Sequence, residues 1–318
     1  MAGYIMSDPN FSEGTDEKII EAIVDCFRNK PGVKLIGYEP DPDFGRLPIE
    51  VMGRPKPLRE ALLEAAAIAY EKIDMNKYTG RHPQIGAFDT LECYTCQGTT
   101  TEEVIQFCEE LGEELNKRFD VPIYFTGQNA RKPENEGLTF IRKGNYKGAK
   151  EDVPNNPDRK PDIGPAKLHP TAGATIVGCV KEHDAYFNVL LDTEELDIAK
   201  KLASYVRGRT GGFKNIQGAV GLPQTHRRTG KRCVMISCEI TNPEETSLHR
   251  VFNLLRDEAA RYGVSVISSQ ICGTVSAETL VSVAEWYLQL EAINGPWDYK
   301  QQIIENHLIE LALEGTDE

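Results

Sequence analysis

The sequence predicts an α+β fold in which two ferredoxin-like βαββαβ subdomains lie side by side. The order strand, helix, strand, strand, helix, strand occurs twice, as judged from the spacing of the apolar residues. The chain has 318 residues, of which 40% are apolar, and this is enough to bury two medium-sized cores. We expect the subdomains to span residues 1–178 and 179–318.

The first half contains one complete βαββαβ unit. Its strands are predicted at short apolar runs, residues 4–7, 33–36, 47–51 and 85–94. Its first helix is predicted to begin after an N-cap at Thr15 and to stop at Pro31-Gly32. The second helix follows Pro55. A further helix, residues 101–118, and a strand, residues 122–125, are appended to this unit.

The second half repeats the order after residues 151–170, a segment dense in proline and charge that is typical of an interdomain tether. Strands are predicted at residues 185–191, 213–220, 234–240 and 264–267, and helices at residues 194–207 and 247–262. Two more helices, residues 277–290 and 299–313, are expected to pack outside this unit.

Composition excludes several classes of protein. The net charge of −13 would repel a phosphate backbone, so we expect no nucleic-acid partner. No apolar run reaches the ~20 residues of a membrane helix, and the start lacks a signal peptide, which predicts a cytoplasmic protein without membrane contact. The eight cysteines lie mostly in apolar runs, as reduced core thiols do.

Two loops in the first half contain residues suited to acid–base chemistry. His82 stands in Thr79-Gly80-Arg81-His82-Pro83, where a glycine- and proline-rich backbone can fix the direction of a side chain. The ordinary alternative is a solvent-exposed loop histidine. Asp41 and Asp43 lie in a turn between two predicted strands, where paired carboxylates could act as a base or stabilise a cation, or could simply form the turn.

Three other motifs have weaker functional interpretations. Cys93 and Cys96 have the C-x-x-C spacing of zinc and redox sites, but no second ligand pair follows, so a metal-free role in the interior is favoured. Glycines beside Lys167 and His169 could let the backbone approach a flat ring, or could belong to a simple tether. The basic residues 226–232 between two strands could steer an acidic substrate, or form a solvated turn.

Short motifs along the whole chain match those of one known family in register. In the first half they are Asn10-Phe11-Ser12-Glu13-Gly14, Ile73-Asp74-Met75, His82-Pro83, Ile85-Gly86-Ala87 and Asp89. Further on they are Pro161-Asp162-Ile163-Gly164-Pro165, Gly173-Ala174-Thr175, Phe187-Asn188-Val189, Ile216-Gln217-Gly218 and Ser268-Ser269-Gln270-Ile271-Cys272-Gly273. Over about residues 3–290 the chain resembles the glutamate formiminotransferases.

The resemblance implies transfer of a formimino group from N-formimino-L-glutamate to N5 of tetrahydrofolate, in histidine degradation and one-carbon metabolism. Tetrahydrofolate would be a cosubstrate, no metal is expected, and the ligands would bind in a cleft between the two subdomains. The family also suggests a homodimer. Because the sequence ends at Glu318, we expect the cyclodeaminase activity of the bifunctional relatives to be absent.

The resemblance also implies roles for individual residues. His82 would be the general base and then the general acid, and Asp41 or Asp43 would hold the cationic formimino group. Candidates for substrate binding are Asn10, Arg46 and Arg81. The folate contacts correspond to Ile163, Gly164, Pro165, Ala166, Lys167, Leu168, His169, Pro170, Thr171, Ala172, Lys214, Asn215 and Ile216. Arg81, Lys167 and Lys214 would bind carboxylates, and the folate rings would lie along the proline-rich segment that could otherwise be a simple tether.

Two segments beside His82 depart from the family pattern. Where the family has an Asn-Arg-Thr run, this chain has Gly45-Arg46-Leu47-Pro48, and Glu92–Cys96 replaces a segment similar to Pro-Phe-Ile-Pro. Two alternatives therefore stay open. One is formyl transfer involving 5-formyltetrahydrofolate, and the other is a folate-binding protein without catalytic activity.

Overall fold

A computed structural model describes residues 3–96, 98–180, 185–293 and 295–314. The chain forms two compact units, one ending with the sixth strand and the other beginning with the seventh. The predicted α+β class with two βαββαβ subdomains is confirmed. The cleft predicted between the subdomains, and their limits at residues 178 and 179, stay predictions.

The first unit is built around a sheet of six strands in the order β2-β3-β1-β4-β6-β5. Its elements are β1 Ile5–Phe11, α1 Glu17–Asp25, β2 Val33–Tyr38, β3 Leu47–Gly53, α2 Pro55–Lys72, β4 Phe88–Thr95, α3 Thr101–Phe119, β5 Ile123–Gly127, α4 Leu138–Ile141, α5 Asn145–Asp152 and β6 Thr175–Val180. Strands β1 to β4 pair antiparallel, in the ferredoxin-like order. Strand β6 pairs parallel with both β4 and β5 and so extends this sheet.

Helix α1 begins one residue later than predicted. Its N-cap is Asp16, whose Oδ1 accepts hydrogen bonds from the backbone N–H groups of Lys18 and Ile19. The predicted cap, Thr15, is wrong because its N–H and hydroxyl both donate to the Glu13 carboxylate, which holds it in the preceding loop. The helix ends at Asp25 rather than at Pro31, since the chain turns there.

The segment 151–170 packs on the first unit, so its interpretation as a mere tether is wrong. The N–H of Ile163 donates to the Ile123 carbonyl, and the Tyr124 hydroxyl donates to the Arg159 carbonyl at 2.7 Å. Strand β6, which the sequence pattern did not predict, follows this segment directly. The predicted division after residue 178 therefore falls inside a strand.

The second unit contains a sheet of four antiparallel strands in the order β10-β7-β9-β8. Its elements are β7 Ala185–Leu191, α6 Leu196–Val206, β8 Ile216–Thr225, β9 Arg232–Ile240, α7 Leu248–Ala260 and β10 Val266–Cys272. Helices α8 Ala277–Leu288, α9 Tyr299–Gln302 and α10 Ile304–Glu314 follow. The single helix predicted for residues 299–313 is thus two helices, which are separated at Ile303.

Each unit has its own hydrophobic core. In the first, the fully buried rings of Phe11 and Phe88 stack with their centroids 4.6 Å apart, joining β1 to β4. The buried thiols of Cys93, Cys108 and Cys179 belong to the same core, as predicted for reduced cysteines. Within the described residues, no helix is both long and apolar enough to cross a membrane.

Candidate active site

The loop that contains His82 is tied to the turn that contains Asp41. The N–H of His82 donates to the Phe44 carbonyl at 3.1 Å. The Tyr78 hydroxyl lies 2.9 Å from the Phe44 carbonyl oxygen and 3.2 Å from that of His82. The two loops, which are far apart in sequence, therefore hold one fixed arrangement.

Glycines make this close approach possible. A Cβ on Gly45 would lie 2.7 Å from the Gly80 Cα, and a Cβ on Gly80 would lie 2.4 Å from the Phe44 carbonyl oxygen. A Cβ on Gly14 would lie 2.2 Å from the Asp41 carbonyl oxygen. Three loops, the first of which belongs to the motif at residues 10–14, thus meet where no side chain would fit.

The two acidic residues of the turn already have partners. Asp41 Oδ1 accepts the N–H groups of Asp43 at 3.1 Å and Phe44 at 3.0 Å, an arrangement that stabilises the turn itself. The exposed Asp43 carboxylate lies 3.8 Å from the Arg81 guanidinium. The structure therefore gives these residues a local role, and their roles toward a substrate stay predictions.

His82 lies against Arg46, with 3.3 Å between the histidine Nε2 and the arginine Nη1. A guanidinium group only donates hydrogen bonds, so Nε2 must be the acceptor and the proton of the neutral imidazole lies on Nδ1. Nδ1 is buried and has no hydrogen-bond partner among the residues that the structure describes. The basic nitrogen of this histidine is thus the one that faces Arg46.

Burial, which is the largest cause, and the positive charges of Arg46 and Arg142 together lower the pKa of His82 to about 4, while Asp41 opposes them. Transfer of a cation into a site of low dielectric is unfavourable, and two nearby guanidinium groups add repulsion. His82 is therefore neutral at physiological pH, as a general base has to be.

Two charged residues of this site, Asp89 and Arg142, had no role assigned from the sequence. Asp89 Oδ2 accepts hydrogen bonds from Arg142 Nε at 3.0 Å and Nη2 at 2.6 Å, while Oδ1 accepts the N–H groups of Ile85 and Gly86. The carboxylate is fully buried. This ion pair fixes the loop after His82 and brings a second cation near the imidazole.

The other predicted site residues fall in three places. Asn10 accepts a long hydrogen bond, 3.5 Å, from Gln84 Nε2 beside the His82 loop. In the segment 163–172, His169 Nδ1 accepts the N–H of Ala172 at 3.0 Å, whereas the side chain of Lys167 is exposed. Residues 214–216 belong to the second unit, at the start of β8.

At that position Lys214 and Asn215 both reach the Glu245 carboxylate, with Lys214 Nζ at 3.8 Å and Asn215 Nδ2 at 2.9 Å. The side chain of Lys214 is 85% exposed, and Ile216 is buried. The structure therefore brings the residues predicted for catalysis and substrate binding together around His82, and Lys214 remains accessible to an anion.

Two family models match the chain over nearly its whole length. The formiminotransferase domain, N-terminal subdomain, matches residues 4–180, and the formiminotransferase domain matches residues 185–315. The two βαββαβ units are thus those of a two-subdomain transferase. The chain belongs to the formiminotransferase family.

Curated relatives agree with this assignment. A glutamate formimidoyltransferase of Streptococcus pyogenes serotype M1 is 37% identical over 97% of this chain and 100% of its own length. One of Thermoplasma acidophilum is 33% identical over 90% of this chain and 92% of its own. A formimidoyltransferase-cyclodeaminase of Mus musculus is 32% identical over 92% of this chain but 54% of its own length. The chain thus spans about half of that bifunctional relative.

Solved structures add nothing to this argument. An unknown protein from Galdieria sulphuraria, 8% identical, covers 86% of this chain and 98% of its own, with a TM-score of only 0.27.

We expect Gly45→Ala to separate the acidic turn from the His82 loop and to destabilise the first unit. Gly45 has φ of +69°, and its new Cβ would meet the Gly80 backbone. Gly230→Ala is the matched control, because its φ is +68° and no atom lies within 4 Å of its Cβ position. Both variants carry a conformational cost of ~1 kcal/mol, and only Gly45→Ala adds a clash. Equal shifts of the urea midpoint would contradict the proposed packing.

We expect His82 to remain neutral between about pH 5.5 and pH 8, since its pKa of about 4 lies well below the ordinary ~6.5. The imidazole resonance in NMR spectra checks this. Arg46→Met should raise the midpoint of titration, because it removes a neighbouring charge. Arg81→Met is the control, since Arg81 pairs with Asp43 and should leave the midpoint unchanged. A wild-type midpoint near ~6.5 would refute the assigned environment.

The same difference in pKa predicts how stability depends on pH. Between about pH 4 and the unfolded value of ~6.5, the unfolded chain binds a proton at this residue that the folded chain does not. The contribution of His82 to stability is therefore complete above this range and decreases as the pH falls through it. Urea unfolding of the wild type and Arg46→Met over this range measures the effect.

Proposed function

We propose that this protein transfers a formimino group from N-formimino-L-glutamate to N5 of tetrahydrofolate, as a step of histidine degradation and one-carbon metabolism. The observation that carries the proposal is the neutral imidazole of His82, whose accepting Nε2 faces Arg46 in a chain of the formiminotransferase family. The names of the curated relatives support the same donor.

In the proposed reaction, N5 of the folate attacks the amidine carbon and a tetrahedral intermediate forms. The proton leaves N5 for His82 Nε2, and the same proton passes to the amino nitrogen of glutamate as the C–N bond breaks. The base thus returns to its starting state and no external proton is consumed. General acid–base catalysis of this kind contributes ~10² to 10⁴ in rate.

Arg46 has to leave Nε2 before that nitrogen can accept a proton. The glutamate product and the folate tail both carry carboxylates, for which a guanidinium forms strong charge-assisted hydrogen bonds. We therefore assign Arg46 to a substrate carboxylate, together with Arg81 and Asn10. Asp41 or Asp43 would stabilise the cationic formimino group. To do so, Asp41 would have to release the N–H groups of its own turn, or Asp43 would have to release Arg81.

The folate contacts are proposed along residues 163–172 and 214–216. Gly164 has φ of +92°, and a Cβ there would lie 2.8 Å from Asn116 Nδ2, so only glycine fits this backbone. The adjacent Lys167 is exposed and, like Lys214, is available for the carboxylates of the folate tail. We further propose that the protein is cytoplasmic, acts as a homodimer and uses no metal.

We expect His82→Ala to abolish formation of 5-formiminotetrahydrofolate while leaving folate binding intact, since the variant removes the base and no folate contact. Product can be followed by its absorbance, and binding by calorimetry with tetrahydrofolate. His226→Ala is the control, because this histidine is exposed and its described hydrogen bonds lie within the β8–β9 hairpin.

Full activity of His82→Ala would refute the role of His82. Turnover of 5-formyltetrahydrofolate in place of the formimino donor would favour formyl transfer. Tight folate binding by the wild type without turnover of either donor would favour a non-catalytic folate-binding protein.

A further inference from the structure

One face of the sheet of the second unit is covered by its helices, and part of the opposite face is polar. Val189, Ile236 and their alternate neighbours pack with α6 and α7 in the core of this unit. The residues between them point to the opposite side, because successive side chains of a strand alternate. Six residues define this polar face: Tyr186, Asn188, Gly218, Ser237, Glu239 and Gln270.

Glu239 carries a partly buried carboxylate on this polar face. No hydrogen bond or ion pair joins its side chain to any residue that the structure describes, and burial raises its pKa. Gly218 is opposite Glu239 in the sheet, and a Cβ there would lie 2.8 Å from Glu239 Oε2. The carboxylate thus lies directly over a residue without a side chain.

Asn188, on the neighbouring strand, presents a second acceptor without a partner. Asn188 is only 6% exposed, and its Nδ2 donates to the Cys272 sulfur at 3.1 Å. This bond orients the amide, and Oδ1 is left buried without a hydrogen bond in the described part of the chain. Asn188 is opposite Ser237 in the sheet, and Ser237 is two residues from Glu239. Asn188 and Glu239 are therefore diagonal neighbours whose backbones lie ~7–8 Å apart, so that one small group can reach both acceptors.

We propose that Glu239 and Asn188 form a binding site for a planar group that presents two parallel N–H donors. A carboxylate accepts such a pair in the geometry that it uses for guanidinium groups, and a buried carbonyl oxygen beside it can accept a third hydrogen bond. An unpartnered buried acceptor costs free energy, which a ligand of this kind recovers.

The inference rests on the proposed function, because the two molecules that we consider as sources of this planar group are its substrates. The amidinium of the formimino donor presents two parallel N–H bonds, and so does the N3–H and 2-amino edge of a pterin. The acidic turn of the first unit offers less for this purpose, because Asp41 Oδ1 already accepts two N–H groups and Asp43 faces Arg81.

Calorimetry on the full chain with three probes tests the site. Pterin-6-carboxylate and N-formimino-L-glutamate carry the planar donor pair, and L-glutamate lacks it. Glu239→Gln keeps the shape and replaces one acceptor oxygen with a donor. We expect it to weaken one planar probe by ~10- to 100-fold, the effect of losing a charged hydrogen-bond pair, with L-glutamate unaffected. The probe that is weakened identifies the source.

Asp197→Asn is the matched control, since it removes the charge of a carboxylate that is 88% exposed on α6. Its affinity for all probes should equal that of the wild type. Gly218→Ala should weaken the same probe as Glu239→Gln, because the new Cβ displaces the carboxylate. Unchanged affinity of Glu239→Gln for both planar probes, or no binding of either by the wild type, would overturn the proposal.

Two further measurements separate this site from a structural role and from the proposed reaction. Without ligand, Glu239→Gln should unfold at the same or a higher temperature than the wild type, because an unpartnered buried charge is removed. A lower unfolding temperature would argue for a structural role instead. Formimino transfer by the wild type is assayed separately. If the wild type is active but Glu239→Gln binds both planar probes as tightly as the wild type does, only this site is contradicted. If the wild type is inactive but Glu239→Gln weakens the binding of a planar probe, only the proposed reaction is contradicted.

Discussion

The arrangement around His82 depends on one buried carboxylate, that of Asp89. An ionised carboxylate without partners in a core would cost several kcal/mol, so its surroundings have to supply hydrogen-bond donors. They are two backbone N–H groups, from Ile85 and Gly86, and the guanidinium of Arg142. Since the N–H donors belong to the loop after His82, satisfying the charge also fixes that loop against β4.

Once the loop is fixed, it holds two other segments in place. The hydroxyl of Ser12 donates to the Gly86 carbonyl at 2.5 Å, which anchors the motif at residues 10–14. The N–H of Ala87 donates to the Ala172 carbonyl at 2.8 Å, which anchors the end of the segment proposed to bind folate. Motifs that are separate in sequence are thus held through one loop, and that loop is held by Asp89.

Antiparallel strands with alternating burial were predicted close to their observed positions. Strand β3 was predicted at residues 47–51 and is observed at Leu47–Gly53, because buried and partly exposed residues alternate along it. Strand β6 was missed because it pairs parallel with two neighbours and is buried almost throughout, so that no alternation marks it.

The candidate site was less accessible to sequence patterns than the fold. Residue patterns alone did not single out His82, which was selected because the residues around it resemble a family motif. Arg142 could not be found in this way, because its contact with Asp89 joins residues 53 positions apart.

The electrostatics of His82 have a consequence for the proposed reaction. With a pKa of about 4, the imidazole of His82 is a weak base, whereas an efficient base has a pKa near the working pH. Two of the causes are the positive charges of Arg46 and Arg142. A substrate carboxylate bound to Arg46 would offset its charge and withdraw Nη1 from Nε2, and both changes raise the pKa of His82. Under the proposed function, the base therefore becomes effective when the anionic substrate is in place, and the arginine that binds the substrate is also the group that controls proton transfer.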